Sequence, residues 1–264
     1  LSGVGTKDSQ GRGIFITDAK NGQSLIRGFS AQAKQPNNQF IADLTDSMPA
    51  PVATLDSNGD GIIDRIYVGD TAANIWRMDL VGGDSTQWTM FKFATLGQYD
   101  PDSKGIVDDR RIFNQIDIVK TRQQGLAYDA LLVGTGNRST LNDTAVNDRF
   151  YMLRDYTLTP ALHLANLAKC PKNLVCQLIP APITHKNLFN ATDNVIQDGT
   201  VAQQQAAKAD LYATDPKARQ AGWYLNLGPG EKSLGVATTV EGATYFTSYS
   251  PPSAEDTLEA KKQC

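Results

Sequence analysis

Short stretches in which apolar and polar residues alternate recur along most of the chain. Residues 13–18 alternate in this way, and Asn21-Gly22 supplies a turn before a second predicted strand at 24–29. Alternation with a period of two is typical of a strand that buries one face. The pattern predicts a mainly antiparallel, all-β fold, with further strands at 51–55, 65–69, 74–80, 86–94, 111–119, 130–134, 149–155, 233–239 and 243–249.

Part of this strand pattern occurs twice. Residues 65–69 (Arg-Ile-Tyr-Val-Gly) and 130–134 (Ala-Leu-Leu-Val-Gly) are short runs that end in Val-Gly. A loop follows each run, and then an aromatic strand that ends in Asp, at 74–79 and 149–155. Repeats of three or four antiparallel strands are what a β-propeller requires, because one blade cannot bury both of its faces alone. We therefore predict a partial, modified β-propeller, and a β-sandwich is the alternative.

One long segment, residues 156–222, breaks the strand pattern. It includes an Ala/Gln-rich stretch at 195–213, which predicts a helix that begins near Asp193 or Asp198. We interpret the segment as a partly helical insertion between blades. The predicted organisation is propeller blades over 1–155, the insertion over 156–222 and a further blade over 223–264.

The composition is that of a globular protein. Hydrophobic residues make up 41% of the 264 residues, and 25 basic against 28 acidic residues give a net charge of -3. Because there is no basic excess, we expect no nucleic-acid partner. No apolar run approaches the roughly 18 residues of a membrane span, so we expect no transmembrane segment. Leu1 is not an initiator methionine, and we expect a chain truncated at both ends.

Three cysteines bear on the cellular compartment. Cys170 and Cys176 lie six residues apart around Pro171, and Cys264 is the last residue. A close pair with one further cysteine predicts an oxidising compartment, a Cys170–Cys176 disulfide and a partner for Cys264 outside this chain. The alternative is three reduced thiols. Zinc is not expected, because neither histidine has ligand spacing to the cysteines.

The sharpest motif lies between two predicted strands. In the segment Asp-Ser-Asn-Gly-Asp-Gly-Ile-Ile-Asp at 56–64, oxygen-bearing side chains occupy positions 1, 3, 5 and 9, and a glycine occupies position 6. These are the first nine positions of a calcium loop, whose glycine makes the sharp turn. We predict a calcium ion with these ligands: the side chains of Asp56, Asn58, Asp60 and Asp64, and the backbone carbonyl of Ile62. The alternative is a turn that binds no metal.

The loop differs from a helix–loop–helix calcium site in two respects. Position 12 is Tyr67, so the usual bidentate Glu is absent and Asp64 is expected to act as a direct ligand. The flanking residues 51–55 and 65–69 predict strands. We therefore predict a β-loop-β calcium hairpin of modest affinity, with the Ile62 side chain packed inward.

Together with its flanking strands, this loop resembles the C-terminal β-propeller of the PilY/PilC family of type IV pilus tip-associated adhesins and biogenesis factors. The resemblance rests on residues 51–70, on Asn-Ile-Trp-Arg-Met-Asp-Leu at 74–80, and on 222–234 with 245–251. It implies the same five calcium ligands. It further implies a non-enzymatic role in which calcium is linked to pilus extension against retraction, twitching motility, surface attachment and virulence.

The resemblance also implies partners and a location. The expected partners are minor pilins at the pilus tip and a host or abiotic surface, and the expected location is secreted, at the pilus tip or the outer-membrane-associated cell surface of a bacterium. No Arg-Gly-Asp triplet for host receptors is present. Two other functions stay open: a quinone-dependent propeller dehydrogenase, and a purely structural repeat domain stapled by calcium.

Two further predictions concern burial. The residues Trp76, Trp88 and Trp223 lie in predicted strands and are expected in the core between blades. The charged run at 108–111 is expected to be a solvated cluster before a strand. A catalytic role is not expected for His163 or His185, because neither lies near a nucleophile.

Overall fold

The computed structural model describes residues 8–22, 28–30, 38–82, 85–97, 109–213, 215 and 220–252. The early strands are β1 (Gly13–Ile14), β2 (Gly28–Ser30), β3 (Asn38–Phe40), β4 (Ala53–Leu55), β5 (Arg65–Gly69), β6 (Asn74–Asp79), β7 (Thr89–Thr95) and β8 (Asp117–Gln123). The later strands are β9 (Leu126–Gly134), β10 (Arg149–Asp155), β11 (Ala161–Leu162), β12 (Gln177–Leu178), β13 (Phe189–Asn190), β14 (Gly222–Asn226), β15 (Thr238–Val240) and β16 (Ala243–Tyr245). The α-helices are α1 (Val195–Asp198) and α2 (Val201–Tyr212). Most of the predicted strand at 24–29, together with Asp108 and Cys264, lies outside the described residues.

Two larger sheets form the centre of the described structure. Strands β4, β5, β6 and β7 pair in that order, and all their pairings are antiparallel. The other sheet has the order β13-β14-β10-β9-β8, in which β13 alone pairs in parallel. The predicted all-β fold of antiparallel blades with a partly helical insertion is confirmed.

The two sheets repeat one plan, and a close approach at the end of the Val-Gly strand marks it. A Cβ atom on Gly69 would lie 2.2 Å from Ile112 Cγ2, and one on Gly134 would lie 2.1 Å from Ser233 Oγ. The crossing segments also pair with the residue after each glycine. Ile112 N–H donates to the Asp70 carbonyl at 3.1 Å, and Ser233 N–H donates to the Thr135 carbonyl at 3.0 Å. Only glycine leaves room for such crossings.

The segment predicted to lie between blades instead lies within one. Residues 156–222 separate β10 from β14, and these two strands pair directly, with Leu153 opposite Gly222. On its way the segment contacts the other sheet: Ile183 N–H donates to the Phe93 carbonyl at 2.9 Å. The insertion therefore leaves the second sheet, touches the first and returns to the second.

The main hydrophobic core lies between the two larger sheets. It includes Tyr67, Trp76 and Phe93 from the first sheet and Leu131 and Tyr151 from the second. A smaller core covers the opposite face of the second sheet, formed by Tyr128, Ala130, Leu132, Phe150, Met152 and Ala237. Trp76 is 1% exposed, whereas Trp88 and Trp223 are only partly buried against these cores.

The strand predicted at 111–119 is wrong for its first half. Strand β8 begins at Asp117, and residues 111–116 form an irregular crossing segment. Ile112 and Ile116 are buried because the segment passes between the sheets, where Gly136 N–H donates to the Arg111 carbonyl at 2.9 Å. Alternating apolar residues indicate that one side of the chain is buried. In the described structure, residues 111–116 are buried in this way without being part of a strand.

The charged run is not solvated as predicted. Arg110 is 1% exposed and Arg111 is 5% exposed. The Arg110 guanidinium donates to the carbonyls of Leu96 and Asn147, at 3.1 and 2.7 Å. Arg111 pairs with Asp109. Arg110 thus anchors the start of the crossing segment through backbone carbonyls, and Arg111 does so through a carboxylate.

Other predicted boundaries shift by a few residues. Strand β1 ends at Ile14, a 3-10 helix occupies Ser85–Gln87 ahead of β7, and the last two predicted strands shorten to β15 and β16. The helical stretch begins after different residues from those predicted. Asn194 precedes α1, and Thr200 caps α2 in a capping box with Gln203.

Candidate metal centre

The loop at 56–64 is held at both ends by pairing in the first sheet. Leu55 lies opposite Arg65 in the antiparallel pair of β4 and β5. Asp64 N–H donates to the Leu55 carbonyl at 3.2 Å, and the Asp64 carbonyl accepts from Leu80 N–H at 2.8 Å. The predicted β-loop-β arrangement is therefore present, and the loop starts and ends at fixed points.

Backbone N–H groups inside the loop point toward the side chains of the predicted ligands. The Asp56 carboxylate accepts from Gly59, Asp60 and Gly61 at 2.6, 3.2 and 2.7 Å. The Asn58 side-chain oxygen accepts from Asp60 N–H at 2.9 Å. This bonding needs a tight turn, and Gly61 supplies it with φ of 87°.

These hydrogen bonds favour the charged form of the first ligand. The hydrogen bond from Gly61, with those from Gly59 and Asp60, lowers the pKa of Asp56 below its ordinary value. A carboxylate that stays ionised is the form that a hard cation such as calcium binds.

Two of the predicted ligands are placed differently from expectation. Asp64 directs its carboxylate at Ser57, accepting from the Ser57 N–H at 3.1 Å and the Ser57 Oγ at 2.7 Å. The Ile62 side chain, predicted to pack inward, is 68% exposed. The prediction that the Ile62 side chain packs inward was wrong, because the whole tip of the loop, residues 58–63, is exposed.

The donor set fits calcium in chemistry and order along the chain. Three of the four ligand side chains, those of Asp56, Asn58 and Asp60, are linked by the hydrogen bonds of a single turn. Within the described part of the chain, however, no group of three His, Cys, Asp or Glu side chains gathers around one point. The carboxylate of Asp64, the fourth predicted side-chain ligand, is hydrogen-bonded to Ser57.

A buried charge network that the sequence did not reveal lies next to the loop. Arg65, the residue after the loop, pairs with Asp129 of β9 at 2.6 Å and with Asp79 of β6 at 3.4 Å. Arg77 binds both oxygens of Asp79 at 2.9 Å and pairs with Asp155 of β10 at 2.6 Å. The network therefore joins the two sheets directly behind the loop.

Electrostatics within the network follow from its burial. Burial opposes the charge of Arg77, but the carboxylates of Asp155 and Asp79 outweigh that effect and raise the pKa of Arg77. Burial, and then the nearby Asp155, raise the pKa of Tyr67 well above its ordinary value. Tyr67 therefore stays protonated and donates to Asp155 at 2.7 Å. One sequence feature could have indicated this network. Each aromatic strand ends in an aspartate, and these two residues, Asp79 and Asp155, both belong to the network.

The cysteines and histidines lie away from the loop. Cys170 and Cys176 form a disulfide within the insertion. His163 is exposed, and His185 Nε2–H donates to the Leu96 carbonyl at 2.8 Å. His185 also contacts Arg149 and the ring of Tyr224. These contacts dock the insertion on the second sheet. Neither helix in the described part of the chain has the length and apolar character that crossing a bilayer requires.

A four-stranded and a five-stranded sheet that do not close into a ring, the second interrupted by an insertion, define the fold as a modified β-propeller. Comparison with solved structures supports this class. The C-terminal domain of PilY1 from Pseudomonas aeruginosa matches with a TM-score of 0.58 and 16% sequence identity, over 90% of this chain and 50% of that one.

Sequence comparison adds a curated relative. A segment of 103 residues is 33% identical to the type IV pilus biogenesis factor PilY1 homolog of Xylella fastidiosa (strain Temecula1), and the match covers 38% of this chain but 7% of that relative. No family model matches the chain. The two matches confirm the resemblance to the PilY family, and the chain corresponds to part of such a protein's length.

Proposed function

We propose that this chain is the calcium-binding propeller module of a type IV pilus biogenesis factor and tip adhesin. In this proposal it supports pilus extension against retraction, twitching motility and surface attachment, including attachment that contributes to virulence. It acts by binding and not as an enzyme. The observation that carries the proposal is the loop at 56–64, whose ligand side chains and turn are already ordered by backbone hydrogen bonds. The similarity to PilY1 proteins supplies the biological setting.

Calcium would be held by the side chains of Asp56, Asn58, Asp60 and Asp64 and by the Ile62 carbonyl. When bound, the cation offsets the repulsion among three carboxylates that share one short loop. The chain's own contribution is to fix both loop ends in the first sheet and to keep Asp56 ionised. The strands on either side are held without the cation, because all three residues of β4 pair with β5 and β5 pairs with β6 along its length.

Calorimetric titration of calcium into wild type and Asp60→Ala tests the site. Asp60→Ala removes a central ligand and should weaken calcium binding more than tenfold, while circular dichroism shows unchanged strand content. Asp143→Ala is the matched control. Asp143 is also exposed and also accepts a backbone N–H two residues on, from Ala145 at 2.9 Å, but it lies outside the loop. Equal affinities in wild type and Asp60→Ala would show that the loop is not the site.

The partners in this proposal are minor pilins and a host or abiotic surface, and the location is the secreted, pilus-tip or cell-surface one that they imply. Capture of purified minor pilins by the chain, with and without calcium, tests the partnership. Failure to capture any minor pilin while calcium still binds would favour the structural domain stapled by calcium. A new absorbance band on addition of a quinone would favour the dehydrogenase.

A further inference from the structure

Two side chains, one from the crossing segment and one from the second sheet, contact the hairpin of the first sheet that carries the loop at 56–64. Gln115 Nε2–H donates to the Val52 carbonyl, just before β4, at 2.9 Å. Lys120 in β8 donates from Nζ to the Ser57 carbonyl, at loop position 2, at 2.7 Å. Both contacts reach the first half of the hairpin. The contact from Lys120 joins the loop to β8, an edge strand of the second sheet.

Ser57 is bound from the other side as well. Its N–H and its hydroxyl donate to the two carboxylate oxygens of Asp64, at 3.1 and 2.7 Å. A single residue thus connects the carboxylate at loop position 9 to the ammonium group of Lys120. Both oxygens of the Asp64 carboxylate are therefore engaged by hydrogen bonds from Ser57.

We propose that Ser57 and Lys120 form a clasp that stabilises the cation-free loop and lowers its affinity for calcium. The proposal rests on the proposed calcium site and concerns its regulation. When Asp64 acts as a ligand, it gives up the Ser57 hydroxyl, Ser57 moves, and its carbonyl releases Lys120. Lys120 also places its positive charge beside the loop. This charge repels an approaching calcium ion at short range.

Because Lys120 lies in β8, calcium binding that opens the clasp is expected to affect this strand. Lys120, Thr121 and Arg122 are exposed and pair with β9, and among the described strands β8 lies at the edge of its sheet. The strands of the hairpin itself are fixed by pairing within the first sheet, so opening the clasp changes little there. Release of Lys120 removes a tether between an exposed edge strand and the neighbouring sheet. The response to calcium is therefore expected in the sheet that does not contain the ligands.

Calcium titrations of clasp variants measure the effect on affinity. Ser57→Ala removes the hydroxyl bond to Asp64, and Lys120→Met removes the charge and the tether. Each should bind calcium roughly threefold to tenfold more tightly than wild type, as loss of one competing hydrogen bond implies. Lys120→Arg keeps charge and donors and should bind as wild type does. Arg122→Met removes the same charge two residues along the same exposed strand and should change affinity less than twofold.

Amide hydrogen exchange of β8 gives a readout that is independent of affinity. Calcium should speed exchange across Asp117–Gln123 in wild type but leave it unchanged in Lys120→Met, where the tether is already gone. Wild type that binds no calcium would overturn the proposed function and this inference together. Calcium binding with no gain in affinity for Ser57→Ala and Lys120→Met, or with no change in β8, would overturn the clasp alone and leave the calcium site intact.

Discussion

A fully buried carboxylate follows the first Val-Gly strand. Asp70 accepts hydrogen bonds from the N–H groups of Ala72 and Asn74, the Asn74 side-chain amide and the Trp76 indole, all at 2.8–2.9 Å. Burial raises the pKa of Asp70 to about 6, against these hydrogen bonds, which lower it. The carboxylate fixes the turn between β5 and β6, on which the crossing segment at Ile112 rests.

We predict that Asp70 makes the fold less stable as the pH rises from about 4 to about 7. Its pKa is about 6 in the folded chain, against an ordinary value of 3.8. The folded chain therefore keeps a proton that the unfolded chain has already lost. The stability from this proton is complete below the unfolded pKa and is lost as pH rises through the folded one. The loss amounts to up to about 3 kcal/mol.

Urea unfolding of wild type and Asp70→Asn across this pH range checks the prediction. The free energy of unfolding of wild type relative to Asp70→Asn should fall as pH rises, since the variant lacks the titrating group. Asp210→Asn, at an exposed position of α2, should follow wild type at every pH. A difference between wild type and Asp70→Asn that does not vary with pH would contradict the prediction.

Strand pairs are joined across the two sheets by charge as well as by apolar contact. Arg77 donates to Asp79 in its own strand, to Asp155 in the other sheet, and to the carbonyls of Thr157 and Thr159 at the start of the insertion. Asp79 in turn accepts from Ala161 N–H at 2.7 Å. One guanidinium therefore anchors three parts of the chain.

Replacement of Arg77 by Met should be strongly destabilising. It leaves the buried carboxylates of Asp79 and Asp155 without their main cation, which costs roughly 3–5 kcal/mol. The free energy of unfolding in urea measures this loss. Lys208→Met, at an exposed position of α2, removes the same charge and should change stability by less than about 0.5 kcal/mol. A loss below about 1 kcal/mol for Arg77→Met would show that the carboxylates find other partners.

The disulfide in the insertion should constrain only its own surroundings. Cys170 and Cys176 are separated by six positions in the sequence, and short loops gain little stability from closure. Peptide mapping without reductant should recover these two cysteines as one linked species. The double variant with Ser at both positions should unfold within about 1–2 kcal/mol of wild type. Two free thiols in the native protein would contradict the first expectation.

The alternation of apolar and polar residues and the repeated strand pattern predicted the positions of the paired strands well. They predicted the contacts between strands poorly. Strands β5 and β10 begin and end as predicted, because both are buried on both faces and end at Val-Gly or Asp. The strand prediction was wrong for residues 111–116. A crossing segment that buries one of its sides shows the same alternation of apolar and polar residues as a strand does. The order of the oxygen-bearing residues in the loop at 56–64 was visible in the sequence. The bonds from Ser57 to Asp64 and from Lys120 to Ser57 were not, since they depend on how two sheets meet.

The two larger sheets should unfold together. The main core and the charge network both take residues from each sheet, so neither sheet keeps its buried face when the other unfolds. Trp76 reports on the first sheet and Trp223 on the second. Fluorescence of the double variant Trp76→Phe/Trp88→Phe, which keeps Trp223, and of Trp223→Phe, which keeps Trp76 and Trp88, should each follow the same denaturant midpoint as the circular dichroism of that variant. Separate midpoints within one variant would show that the sheets are independent units.

The path of the insertion has a consequence for the integrity of the chain. Because residues 156–222 leave from β10 and return to β14, a peptide-bond break inside them leaves β10 and β14 paired over five register positions. Lys172 is exposed and lies between the two bridged cysteines, so after cleavage there by a trypsin-like protease the two fragments stay covalently joined until the disulfide is also reduced. The fragments on either side of such a cut are therefore natural halves of a split protein, which should reassemble through the β10–β14 pairing when expressed separately.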